Sequence, residues 1–478
     1  MKLHTLTGAL ALAGLLSACS MAPTYETPAA PVAANWTVSA GTPTASTDAT
    51  GVAPVQWQAF FGNAPLREVI ALTLEHNRDL RAAALNVQAY QALYRIQKAD
   101  SAPTIGAQVA ASRQRTPADV AQAPDAVTAS TYTGGVGLVS YELDLFGRVQ
   151  SLNEQALQQY LAMDSTHKAT QLSLVAAVAS AWLTWQADQQ MLDVVSRTLA
   201  ANHQALELIV AQVDHGIATD LQRHQAQAAV DSARAQLAQL TRAVAQDLNA
   251  LQTLVGTELP AHVRDAALPA QDWQLADVPV GLPAQVLAQR PDILAAEQQL
   301  KAANAHIGAA RAAFFPSISL TASAGAASTE LSGLFKGGAG AWSFAPQINI
   351  PLFAGGRLQA SLDYATLQKD VRVAQYEKAI QTAFQEVADG LAARTTYVDQ
   401  REASQRLVKT SSQYLELAQL RYDAGVDAYL TVIDAQRSLR GGGGGAVKTG
   451  LGEGGGRGWV VKALGGGVVG QAPGGKPF

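Results

Sequence analysis

The sequence predicts a mostly helical protein that carries transmembrane β-hairpins and is organised as a tandem repeat. Three observations predict this class. First, Arg148 to Gln227 recurs without insertion or deletion as Arg357 to Gln436: Val178-Ala179 returns as Val387-Ala388, Leu206-Glu207-Leu208 as Leu415-Glu416-Leu417, and Asp214 and Gly216 as Asp423 and Gly425. A register kept over so long a stretch tolerates no slack, as a continuous helix requires. Second, each repeat contains a segment where the apolar period drops from 3.6 to 2. Third, the helical stretches are far longer than those of an ordinary globular domain.

The N-terminus reads as a bacterial secretory signal: Lys2, an apolar run from Leu6 to Leu16, then small residues up to Cys19. Leu16-Ser17-Ala18-Cys19 resembles a lipobox, which makes residues 1–18 a signal peptide and Cys19 the lipid attachment point. An ordinary signal peptide with an incidental cysteine is the alternative. Ser20, rather than Asp, implies sorting to the outer membrane. Cys19 is the sole cysteine, so no disulfide and no thiolate metal cluster forms within the chain. A formal net charge of −4 removes the basic patch that nucleic acid requires. No run of 18 apolar residues follows, so no transmembrane helix is expected.

Residues 19–65 read as an extended Ala/Pro/Thr tether ending in Trp57, Phe60 and Phe61. The first repeat covers 66–256. Leu66 to Lys98 has helical spacing and stops before Pro103. A strand from Ile105, a polar loop, and a strand from Tyr132 to Leu145 make a hairpin. The upstream match is offset by four residues relative to the downstream one, so the slippage lies between Ile105 and Arg148. The helix from Arg148 spans about 100 Å and reverses at Gly216, a left-handed cap position. Its return runs from Leu221 to Val255, with Gly256 as terminator. A Pro-containing link, 257–281, precedes the second repeat, 282–440. There Pro283 to Arg311 is read as helix and Ile318, Leu320, Ala322 and Ala324 as an alternating strand. Pro346 is expected to make the fourth strand irregular, and Gly425 reverses the second helical hairpin.

Strands of about ten residues suit a tilted membrane span, although a small soluble sheet carries the same pattern. Four strands do not close a barrel, and lipid tolerates no open edge. Closure therefore needs several identical chains, and twelve or more strands leave room for a pore.

Taken together, several motifs resemble the TolC/OprM-like outer-membrane factors, lipoprotein branch. They are Cys19 with Pro23-x-Tyr25-x-x-Pro28, Trp57-x-x-Phe60-Phe61, Asn77-x-Asp79-Leu80, Glu142-Leu143-Asp144-Leu145-Phe146-Gly147-Arg148, and Phe315-Pro316-Ser317. Pro351-Leu352-Phe353-x-x-Gly356-Arg357, Arg421-Tyr422-x-x-Gly425-Val426 and Asp434-Ala435-Gln436-Arg437-Ser438-Leu439 complete the set. The resemblance implies a homotrimer with a 12-stranded barrel and a helical tunnel. It implies docking to a periplasmic adaptor and an inner-membrane pump of the RND type, outer-membrane localisation, and no cofactor beyond the lipid on Cys19. It further places Asp434 and Arg437 at a periplasmic gate, where rings of like side chains at a constriction concentrate field. An ordinary surface pair worth about 0.3 kcal/mol is the alternative. Leu430 is a candidate hydrophobic constriction, with plain packing as its alternative.

Other readings find less support. His215 and His224 flank a turn without a third ligand. Gly441 to Gly445 lacks the Lys-Ser/Thr of a phosphate loop, and no catalytic constellation appears. Trp182 and Trp185 read as core, or as an aromatic stripe along a tunnel. A type I secretion duct or a periplasm-spanning structural lipoprotein stands as an alternative function. The family has a returning helix after residue 440, but residues 441–478 contain 17 glycines in 38. Each costs about 1 kcal/mol in a helix interior, so this segment is expected not to form that helix.

Overall fold

The computed structural model describes residues 20–33, 57–265 and 284–463. The signal peptide, Cys19, most of the tether, most of the link and the last residues of the glycine-rich segment lie outside them. The elements in order are α1 (Trp57–Phe60), α2 (Ala64–His76), α3 (Arg78–Ala99), β1 (Ile105–Thr116), α4 (Ala118–Ala121), β2 (Val127–Leu143), α5 (Arg148–Asp214), α6 (Asp220–Val255) and α7 (Ala261–Arg264). A 3-10 helix (Ala284–Gln289) leads to α8 (Pro291–Ala312). There follow β3 (Ser317–Ser328), a 3-10 turn (Leu331–Gly333), β4 (Gly340–Asn349), α9 (Arg357–Asp423) and α10 (Tyr429–Ala463). The chain divides into two compact units.

One unit comprises Asn86–Asp164, Ala295–Glu377 and the N-terminal segment through Ala29. Its centre is an antiparallel sheet in the order β1-β2-β3-β4. Leu138 pairs with Ile105, 33 residues earlier, whereas Ile348 pairs with Ile318, 30 residues earlier. Three residues of the four-residue slippage therefore lie in the first hairpin loop. The fourth is the irregularity between Leu138 and Tyr141. β4 corrects one expectation: it passes through Pro346 with unbroken register. As an edge strand within the chain, it has a free side where the missing N–H is harmless.

The same unit corrects the tether. Residues 21–25 lie docked along α8. Asn304, itself buried, donates from Nδ2 to the Pro23 carbonyl at 2.8 Å. Arg311 donates to the Met21 carbonyl at 3.4 Å, and the Tyr25 hydroxyl donates to Glu297 Oε1 at 3.3 Å. Lys301 stands 5.2 Å from the centre of the Tyr25 ring. Burial, with Glu297 beside it, pushes the Tyr25 hydroxyl up to about 12. Low hydrophobicity suggested a free linker, but here polar contacts and a glycine groove hold the strap.

The other unit comprises Ser165–Leu294, Lys378 onward, and the chain from Ala30 to Leu85. Trp57, Phe60, Phe61, Val69 and Ile70 pack with Val178, Trp182, Trp185, Leu251 and Val255 in one core. Trp182 and Trp185 are thus core and form no stripe. Helix 66–98 is not continuous: it breaks at Asn77, whose backbone is extended (φ −63°, ψ 130°). The Asn77 carboxamide accepts from Leu80 N at 2.8 Å, capping α3, and donates to the Leu254 carbonyl at 2.7 Å. The helix read from Pro283 breaks at the matching position, Arg290, between the 3-10 helix and α8. The Arg290 side chain is only 3% exposed and bonds both Asp292 and Glu386 at 2.7 Å. Burial alone would lift the Asp292 carboxyl, but Arg290's hydrogen bonds hold it below the usual carboxylate range.

α10 corrects the glycine expectation, since it runs through Gly441–Gly445 to Ala463. Gly442 lies against Leu407, Gly444 against Met191 and Gly452 against Tyr397, each where a Cβ would crowd. Thr449, buried, donates to the Gly445 carbonyl at 2.8 Å. Close packing on α5 and α9 outweighs the poor helix propensity, as tertiary contacts routinely do.

Candidate channel wall and helical tips

The sheet is two-faced. Along one face the register lines up Ile105, Val109, Leu138, Val136, Leu320, Ala322, Ile348 and Phe344. Many of these are exposed to solvent in the single chain, Val109 at 83% and Ile105 at 75%. The opposite face carries Gln108, Ser112, Ser319, Thr321, Ser323, Ser343 and Gln347, with Ser323 and Ser343 hydroxyls 2.7 Å apart. On this polar face Gly135, Gly137 and Gly325 approach the neighbouring backbone so closely that no Cβ fits. Such glycines mark a sharply bent sheet. Strands that alternate apolar and polar residues, with both faces at least partly exposed in the single chain, match a wall between lipid and water. β1 and β4 each keep one unpaired edge. Among the described residues, no helix is long and apolar enough to cross a membrane.

The helical tips lie in the other unit. Gly216 and Gly425 adopt φ of 72° and 71°, and each turn closes with backbone bonds back to the preceding helix. The α5–α6 turn is finished by a reciprocal cap between Thr219 and Gln222. The α9–α10 turn uses different chemistry: Arg421 clasps Asp427 through two hydrogen bonds, 2.6 and 2.9 Å. That guanidinium holds the Asp427 carboxyl below the usual range. Ile209, Ala418, Tyr429, Val432 and Ala435 form a small core joining the two hairpins, and Tyr422 donates to Gln212 at 3.1 Å beside it. Burial pushes the Tyr429 hydroxyl up to about 12.

Asp434 and Arg437 lie exposed on one face of α10, and among the described residues neither makes an ion pair within the chain. The structure brings Asp434 instead to the Tyr414 hydroxyl, at 3.4 Å. Leu430 is 57% exposed and Leu221 67%, so neither packs inside the single chain. His215 and His224 join no cluster with metal-ligand character among the described residues. The Arg421–Asp427 clasp and the Tyr429 core escaped the sequence reading. The available signal was an Arg and an Asp flanking Gly425, too common a pattern to single out.

Comparison with known proteins follows the same architecture. The family model for outer membrane efflux protein matches residues 69–257 and 282–441, one segment per repeat. The probable efflux pump outer membrane protein TtgC of Pseudomonas putida is 50% identical over 428 residues, 89% of this chain and 88% of that protein. The outer membrane protein OprJ of Pseudomonas aeruginosa is 44% identical over 430 residues, covering 90% and 89%. Among solved structures, a membrane protein from Pseudomonas aeruginosa superposes with a TM-score of 0.86 at 41% identity, covering 93% of this chain and all of that one. The open state of the Neisseria gonorrhoeae MtrE outer membrane channel gives 0.82 at 38% identity, covering 94% and 99%. The chain belongs to the outer membrane efflux protein family.

Proposed function

We propose that this chain is the outer-membrane exit duct of a tripartite efflux pump, passively conducting small toxic compounds from the periplasm to the exterior without catalysis of its own. The observation that carries this reading is the two-faced sheet with two open edges. In lipid each unpaired edge group costs several kcal/mol, so β4 of one copy must pair with β1 of another. Three copies supply twelve strands, enough for a water-filled interior. The lipid on Cys19 anchors each copy. A periplasmic adaptor and an RND-type inner-membrane pump complete the assembly.

The exposed Asp434, Arg437 and Leu430 suit a gate closed by sibling copies, because among the described residues neither charge makes an ion pair and Leu430 stays 57% exposed. Mass measurement of the detergent-extracted particle is expected to give three copies; a stable monomer overturns the duct. In planar bilayers, the double variant Asp434→Ala, Arg437→Ala is expected to conduct more than the parent, and unchanged conductance removes the gate assignment.

A further inference from the structure

A cavity of about 480 Å³ lies in the same unit as the sheet, between α3, α5, α8 and α9. It is lined by Tyr90, Gln155, Gln159, His306, Tyr364 and Arg372, among others, and no carboxylate is among its described lining residues. Its position on α8 says which way it faces. The strap sits on Glu297, Lys301, Asn304 and Gly308. The cavity uses Gln299, Ala302 and His306. At 3.6 residues per turn these two sets stand about half a turn apart, on opposite sides of the helix. On the duct reading, with the lipid on Cys19, the strap that follows it runs over the outside of the wall, which turns the cavity side of α8 to the interior.

Its chemistry is set by Arg372. The guanidinium Nη1 donates to Gln299 Oε1 at 2.8 Å and to Gln375 Oε1 at 2.7 Å. Those bonds fix the plane of the fork. The donors on Nε and Nη2 have no protein partner among the described residues, which leaves them to a bound acceptor. His306 Nδ1 is held 3.0 Å from Gln155 Oε1. Tyr90 and Tyr364 add ring surfaces, and the glutamines add amide donors and acceptors. The volume matches a ligand of one or two rings.

We infer that this cavity is a lumenal subsite that transiently holds anionic aromatic compounds on their way through the duct. The inference rests on the duct reading for its role as a cargo site. An anion gains the free donors of Arg372 and meets no carboxylate, while its ring lies against the tyrosines. A cation of the same size finds a like charge.

The test is equilibrium dialysis of radiolabelled 4-hydroxybenzoate against the detergent-solubilised full chain. Saturable binding is expected, displaced by unlabelled 4-hydroxybenzoate and not by benzylamine. Arg372→Gln should weaken it about tenfold, the loss of one charge-assisted contact, and Tyr364→Ala should weaken it as a separate variant should Arg372→Gln fail to fold. Equal displacement by benzylamine, or parental binding in folded Arg372→Gln and Tyr364→Ala, overturns the subsite. Conductance of the same preparation separates the two readings. Conduction without binding removes the subsite and keeps the duct; binding without conduction removes the duct and the cargo role with it.

Discussion

Gly308 and Ala22 approach so closely that a Cβ on Gly308 would stand 2.7 Å from the Ala22 amide nitrogen and 2.5 Å from Ser151 Oγ. The strap is thus seated in a groove that only glycine leaves open. Gly308→Leu is expected to expel residues 21–25 from α8 and to cost about 1–3 kcal/mol through overpacking. Limited proteolysis near Tyr25 reads the release, and calorimetry reads the loss. A variant as resistant to protease as the parent would show the groove to be dispensable.

Arg290 is a second long-range fastening. Replacing it with Ala leaves Glu386, whose side chain is 20% exposed, without this cation. Loss of one partner of a buried pair costs about 3–5 kcal/mol. A thermal melt of Arg290→Ala should show a drop of that size, with a smaller drop for Arg290→Met plus Glu386→Gln. Equal losses would place the cost in packing instead of charge.

Tyr429 makes the tip sensitive to alkali. Its folded value of about 12 exceeds the ordinary 10.0. Between those values the unfolded chain gives up its proton while the folded chain keeps it. The stabilisation is complete below pH 10 and is lost as pH rises towards 12. Hydrogen exchange of the tip core should therefore accelerate through that window. Tyr429→Phe is expected to flatten the profile while leaving stability near neutral pH within about 1 kcal/mol, since the buried hydroxyl has no hydrogen-bond partner among the described residues.

The glycines of α10 are not equivalent. Gly441 faces open space, so Gly441→Ala is expected to raise stability by about 1 kcal/mol. At Gly452 a Cβ would meet the Tyr397 ring at 2.6 Å, and the gain should vanish or reverse. Melting temperatures of the two single variants decide the matter. An equal rise in both would mean that α10 does not pack as described.

Features set by neighbours along the chain could be read before any coordinates. The duplicated helices, the hairpins and the reversals at Gly216 and Gly425 follow from periodicity and from the one residue that accepts a left-handed turn at no steric cost. The breaks at Asn77 and Arg290, the docked strap, the Arg421–Asp427 clasp and the helical course of Gly441–Gly445 were not legible in this way. Apart from the clasp, each depends on partners distant in sequence: Asn304 meets Pro23 across 281 residues, and Asn77 meets Leu254 across 177. Local pattern says which conformations a segment prefers. Packing against remote segments decides which preference yields, because contacts shared by several helices outweigh about 1 kcal/mol of propensity at a single residue. The cavity beside Arg372 has the same origin, since its lining is drawn from four helices that no local pattern brings together.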